Sequence, residues 1–192
     1  SNGGLNNVQR WAGRFEADFA DLLATSNDYP DSAQTTHRCQ QIASFRSRVL
    51  LLSPRNFDAS TNTWSENNQQ IRWNVINKPQ TWSGTGSGSV TLIDTGGTNM
   101  WSAPLGGSHI IYQTKGIWDL NYVGGTTVFD PRLMIPDLGL LAPHLLAIKN
   151  NVHYFIGDDF NVYAYFGGTV KERVGDKIHP ELQAQLSSEF AS

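Results

Sequence analysis

Five histidines, one cysteine and an adjacent carboxylate pair carry most of the chemistry this 192-residue chain could offer. His37, His109, His144, His153 and His179 lack a metal-ligand spacing such as H-E-x-x-H, so each is expected as an ordinary sheet or loop histidine. Asp158-Asp159 has the composition of a two-carboxylate hydrolytic site. It lies between two strand-like runs, where the same residues serve as turn formers. Gly84-Thr85-Gly86-Ser87-Gly88 has the wrong spacing for a nucleophile elbow, is followed by no G-K-[ST], and completes no G-x-G-x-x-G. Ser83–Ser89 is expected to be a flexible Gly/Ser loop. No D-x-D-x-D-G calcium loop is present. These residues point to a protein that is not an enzyme and uses no cofactor or metal.

Binding is the other chemistry to weigh. Trp73 and Trp118 sit inside strand patterns and are expected in the core, whereas Trp64 and Trp101 lie in polar, turn-rich stretches. Trp64 and Trp101, with Arg55, are therefore the candidate contacts for a ligand or partner. Arg38, Arg46, Arg48 and Arg55 form the one basic cluster and are expected on a solvated, salt-bridged strand face. The formal net charge is -3, the wrong sign for a broad phosphate-gripping surface. Cys39, the single cysteine, allows no intrachain disulfide. A buried, apolar thiol is expected there, compatible with assembly in a reducing cytoplasm.

The elements that must carry these residues are mostly strands. The chain is 16% charged, against roughly a quarter for soluble domains, and holds 18 Gly. Trp11, Phe15, Phe19, Leu22 and Leu23 recur at helical spacing and predict a helix over Trp11–Ala24, followed by a loop to Thr36. Phe45–Leu52 begins in alternation and ends as an apolar run, the pattern of a strand buried on both faces. Ile71–Val75 alternates, and Val90–Ile93 makes another short strand. Leu182, Leu186 and Phe190 behind Pro180 predict a C-terminal helix whose apolar stripe packs on the last strands. No stretch is long and apolar enough to span a bilayer, and the polar start is unlike a signal peptide. A trimmed terminus, a tag remnant or a piece of a longer protein would each account for the missing initiator Met.

Residues 109–126 and 152–169 resemble each other at an offset of 43, the separation of Gly124-Gly125 from Gly167-Gly168 (167 − 124). In each, an apolar strand, a tight turn and an alternating strand lead to Gly-Gly-Thr; Tyr122 falls on Tyr165 and Ile117 on Phe160. All-strand self-similarity at about 40–50 residues is the mark of β-propeller blades. The expectation is an all-β, propeller-like fold of about three four-stranded blades (37–88, 89–131, 132–178), after a helix and linker over 1–36 and before a helix over 179–192. A β-sandwich with two similar hairpins is the alternative. Closed propellers usually have four to eight blades, so part of a larger ring is expected, with blades from another chain or capping by the terminal helices as the alternatives.

Ile71-Arg72-Trp73-Asn74 with Pro79 and Trp82, Ile110–Gly125, and Gly139–Pro143 followed by His153–Asp159 and Val162-Tyr163 resemble blades of bacteriophage virion propeller proteins. The resemblance covers residues 42–186, and this chain is shorter than the full propellers of that family. It implies a structural virion protein of the tail or neck, such as a nozzle or DNA-stabilising tail component. Such a protein is assembled in the host cytoplasm and contacts other tail and portal-proximal proteins near the DNA channel, with no membrane span. It would act as a homo-oligomer or part of a larger ring, using loops 55–70 and 83–89 to meet its neighbours. A carbohydrate-binding propeller recognising receptor glycans through exposed Trp is the second expectation, and a glycan-cleaving propeller the third.

Overall fold

Two-residue turns set the topology. Arg46-Ser47 and Asn150-Asn151 hold φ values of 50° and 57°, and of 51° and 59°. Both central residues are therefore left-handed, as tight antiparallel hairpins require. The computed structural model describes residues 9–10, 20–21, 38–58 and 61–190. Its strands are β1 (Gln9–Arg10), β2 (Ala20–Asp21), β3 (Arg38–Phe45), β4 (Arg48–Asp58), β5 (Thr63–Glu66), β6 (Gln70–Trp73) and β7 (Gly88–Thr91). There follow β8 (Asn99–Leu105), β9 (Ser108–Gln113), β10 (Gly116–Tyr122), β11 (Phe129–Ile135), β12 (Leu146–Lys149), β13 (Val152–Ile156), β14 (Val162–Gly167) and β15 (Val170–Arg173). Helix α1 (His179–Phe190) ends the described chain.

The chain is thus mainly β, with three antiparallel sheets in sequence order beside the small β1–β2 ladder. The first has the order β3-β4-β6-β7 with β5 beside β4, the second β11-β10-β9-β8, and the third β12-β13-β14-β15. None of them closes on itself. Ala20–Asp21 pairs with Gln9–Arg10 in an antiparallel bridge where a helix over Trp11–Ala24 was expected. The rest of that expected helix lies outside the described residues.

Two compact units divide the chain: Ser1–Leu92 with Tyr122–Asp130, and Ile93–Asn121 with Pro131–Ser192. In the first unit, β5 and β6 act as one strand interrupted by Asn67–Gln69. Asn67 N–H donates to Pro54 O (3.1 Å) and Ser53 Oγ to Asn68 O (3.2 Å) across that break. Within 55–70, Arg55–Asp58 pairs with Thr63–Glu66 where a free loop was expected, while residues 59–60 lie outside the described residues. Leu50, Leu51 and Leu52 are all buried, as the apolar run predicted. On one face Trp73 meets Phe129 edge-on (5.0 Å) and Phe45 stacks on Phe129 (5.6 Å). A separate cluster joins Leu51, Cys39 and Trp82, and Arg72 donates to Trp82 O (3.3 Å). Burial pushes the Cys39 thiol up to about 12, so it is neutral and unreactive.

Ser83–Ser89 is an ordered turn leading into β7, not a flexible linker. Ser87 N–H and Oγ both bond Gly84 O (3.2 and 2.8 Å), and Gly86 O accepts from Arg48 Nε (3.2 Å). Gly88 is forced by packing, because a Cβ there would lie 2.8 Å from the Trp73 ring.

Arg48 corrects the expected salt-bridged basic face. It is 6% exposed, its guanidinium donates to Gly86 O and Arg46 O (3.2 Å each), and it lies over the Tyr122 and Phe129 rings (5.7 and 5.9 Å). Backbone carbonyls and aromatic faces, which no charge count reveals, hold this cation. Arg48→Ala is expected to cost about 2–3 kcal/mol, from the lost charged hydrogen bonds and ring contacts. Arg48→Lys should recover little of that, since an ammonium cannot reproduce the planar fork. Urea unfolding of the two variants checks this; a wild-type midpoint for Arg48→Ala would refute it.

In the second unit the second and third sheets share one core of Leu105, Ile110, Tyr112, Ile117, Ile135, Leu138, Leu140, Phe155 and Tyr165. Tyr112 points from β9 toward the third sheet, and Phe155 points from β13 back at it (rings 5.2 Å apart). At an offset of 43 these two residues are equivalent (155 − 112). In a stacked array every copy of a residue points the same way along the stack, so Tyr112 and Phe155 are not structural equivalents. Tyr122 lies on the face of its sheet opposite to Tyr112, whereas Tyr165 shares the face of Phe155 in its own sheet. The β9–β10 turn has two residues, between Gln113 and Gly116, while the β13–β14 loop has five, between Ile156 and Val162. That odd difference inverts one strand of the aligned pair, because a one-residue slip exchanges the faces of a strand. The sheets are alike in strand order, and the sequence repeat is not a strict structural one.

Candidate functional site

Arg55 and Trp64 come together in the β4–β5 hairpin. Arg55 stands opposite Glu66 in the ladder and forms an ion pair with it. Trp64 lies under the Arg38 guanidinium, 4.3 Å from the ring centroid. Trp101 belongs to the second unit, half-buried against the shared core, with the His144 ring 4.4 Å away. His144 itself holds a φ of 72°, a left-handed conformation costly for a residue with a Cβ. Trp64 and Trp101 thus each have a ring partner within the chain.

The most concentrated polar chemistry is buried in the second unit. Tyr112 Oη donates to His153 Nδ1 (2.9 Å), and His153 Nε2 donates to Pro104 O (2.9 Å). A carbonyl can only accept, so the proton of neutral His153 sits on Nε2 and Nδ1 is left to accept from tyrosine. His109 Nε2 bonds Ser102 Oγ (2.9 Å). Gln113 Oε1 accepts from Trp118 Nε1 (2.9 Å) and Gln113 Nε2 donates to Asn99 Oδ1 (3.0 Å). Burial, with His153 nearby, pushes His109 down to about 4. Burial also lowers His153, partly offset by its Pro104 bond. Burial raises the Tyr112 and Tyr165 hydroxyls, so both remain protonated donors, Tyr165 to Gly168 O (2.8 Å). Each of these side chains bonds to a neighbouring group, and together they form a buried polar network.

Asp158 and Asp159 build the β13–β14 loop, as turn formers should. Asp158 Oδ1 accepts from Gly139 N–H (3.1 Å). Asp159 accepts from Asn161 N–H (3.1 Å), Asn161 Nδ2 (2.7 Å) and Tyr163 Oη (2.6 Å). Burial pushes the Asp159 carboxyl up, and these bonds outweigh it, so the group is held below the ordinary range. Among the described residues no group of three or more His, Cys, Asp or Glu is placed to hold a metal.

What remains open is a face and an edge of the third sheet. The face turned away from the shared core carries Ala147, Val152, Tyr154, Ile156, Val162, Ala164 and Phe166; Ala164 is buried and Gly175 packs on Val162, so the face is open only in part. Tyr154 is 38% exposed and Phe166 45%. Beside it a recess of about 230 Å3 lies between His144, Leu145 and Leu146 on one side and Tyr154, Ile156 and Val162 on the other. Of these residues only His144 stood out in the sequence, as an ordinary sheet or loop histidine. The one available signal was that V-H-Y-F-I and V-Y-A-Y-F are apolar at both odd and even positions, which marks a strand meant to be covered on both faces.

No protein-family model and no curated protein matches this chain. Among the described residues no helix is long and apolar enough to cross a membrane.

Proposed function

We propose that this chain is a non-enzymatic structural module that acts through protein–protein contacts, in the tail or neck of a tailed bacteriophage virion. The observation that carries the assembly part is the partly open apolar face of the third sheet, where Tyr154 and Phe166 are exposed beside half-buried Ile156. Such a patch on an ordered sheet marks a contact surface. The polar groups best suited to chemistry support the same reading, because they are used in fixed structural bonds. The virion part rests on the resemblance of Ile71–Asn74, Ile110–Gly125 and His153–Asp159 to phage propeller blades. Three consecutive antiparallel sheets are compatible with that resemblance. A propeller-like stacking of those sheets in a larger ring belongs to the same proposal.

Carbohydrate binding through Trp64 and Trp101 has less support, since Arg38 and His144 occupy ring faces a sugar would need. Immunogold labelling of tailed particles from the source strain tests the proposal. Labelling confined to the tail or neck is expected; particles that never label would contradict it.

A further inference from the structure

The hydrogen-bond phase of β12 is fixed by its neighbour. Ile156 N–H donates to Leu145 O (3.2 Å), which makes Leu146 and Phe155 a non-hydrogen-bonded pair. Ala147 then exchanges bonds with Tyr154, and Lys149 with Val152 across the Asn150-Asn151 turn. The N–H and C=O groups of Leu146 and Ile148 therefore point away from β13. β12 is the end strand of its sheet, and among the described residues nothing bonds to that outer edge.

We propose that β12 is a self-pairing edge: two copies of this chain join antiparallel along it, about a two-fold axis through Ala147. This rests on the assembly reading above and names one partner, a second copy of the chain. Leu146 and Ile148 flank Ala147 symmetrically, so the axis sets Leu146 of each copy opposite Ile148 of the other. Both outward donors and both outward acceptors of each edge are then satisfied. Ala147 meets its own copy in a non-hydrogen-bonded pair, where Cα atoms approach to about 4.5 Å and a methyl group fits well. Lys149 falls opposite Leu145 of the second copy, so no like charges oppose. Ile148, 50% exposed in one copy, gains an apolar neighbour. The two open faces become continuous, with a recess on each side of the junction.

The other end of the sheet is unsuited to this. β15 carries Lys171, Glu172 and Arg173 in succession, the charged kind of edge that resists pairing. A four-residue edge spans only about 13 Å and buries less than the roughly 1,200 Å2 of a stable interface. The dimer is accordingly reversible and dependent on concentration.

Sedimentation of the full chain from micromolar to several hundred micromolar tests this, with Ile148→Pro, Ile148→Lys and, as a control, Val170→Lys on β15. Proline at 148 deletes only an outward N–H, and circular dichroism verifies that each variant is folded. The expected result is a rise from monomer to dimer mass for the wild type and Val170→Lys, with both 148 variants monomeric throughout. If Ile148→Pro does not fold, Ile148→Lys decides alone. A dimer persisting in the folded 148 variants, or a wild type monomeric at every concentration, overturns the self-pairing. Neither outcome touches the assembly reading, which stands or falls on the virion itself.

Discussion

Gly139→Ala is expected to prevent the second unit from folding, with a loss above about 4 kcal/mol. A Cβ at Gly139 would lie 2.1 Å from both the carbonyl carbon and the oxygen of Thr114 and 2.5 Å from Gln113 O. All three are backbone atoms with no rotamer in which to retreat. The backbone cannot move aside either, because this segment ties three stretches of chain together. Gly139 N–H donates to Asp158 Oδ1 (3.1 Å), Asp158 N–H to Gly139 O (3.2 Å), and Leu140 N–H to Gln113 O (2.9 Å). Shifting Gly139 would therefore break the bonds that fix the β13–β14 loop and the β9–β10 turn together. Gly125→Ala is the matched control: its φ is 67°, with open space around it. It should cost only left-handed strain, about 1–2 kcal/mol. Urea unfolding compares the two, and a Gly139→Ala midpoint no lower than that of Gly125→Ala would show that the packing argument is wrong.

Stability is expected to fall on mild acidification, well above the pH at which carboxylates protonate. His109 is pushed down to about 4 from 6.5, and His153 is also lowered. In the unfolded chain both take up protons as the pH drops through about 6.5. The folded chain resists doing so, because His153 must keep Nδ1 as an acceptor for Tyr112 and His109 is buried. The unfolded state therefore binds more protons, and stability present above pH 6.5 is lost as the pH falls toward about 4. His109 alone contributes about 3 kcal/mol of that loss, at 1.36 kcal/mol for each unit of displacement. Below the folded-state value its contribution falls no further. His153→Ala should flatten part of the slope and lower stability at pH 7 by about 2–4 kcal/mol, since Tyr112 Oη and Pro104 O lose a buried partner. Urea midpoints measured from pH 7.5 to 4.5 test both statements; a wild-type profile level from 7 to 5 would contradict them.

How far the fold was legible depends on which interactions decide each element. Phe45–Leu52, Ile71–Trp73 and the β9–β10 hairpin follow from alternation and apolar runs, so the strands there were readable. Pro180 and the Leu182 spacing likewise announced α1. The aligned glycine pairs were readable as well, but the facing of Tyr112 and Phe155 was not. It turns on the odd difference between a two-residue turn and a five-residue loop, which a comparison by eye absorbs as a gap. Ser83–Ser89 has a linker's composition, and only Arg48 and Trp73, distant in sequence, make it an ordered turn. Arg48 itself has a surface residue's chemistry, and long-range placement of carbonyls and rings buries it. His109 and His153 stand in β9 and β13, the sheet placement expected of them, and their partners Ser102 and Pro104 on β8 and Tyr112 on β9 are brought to them by pairings that no local pattern announces. The open face of the third sheet was visible only as excess hydrophobicity, because a sequence does not say which apolar face the same chain will cover.

The central claim, that this is a structural part of a tailed virion, is tested most directly by quantitative mass spectrometry of density-purified tailed particles from the source strain. The account predicts peptides of this chain at a fixed stoichiometry with the other tail and neck proteins, retained through purification and through washing at high salt. Particles that are intact and infectious yet contain none of it would contradict the account.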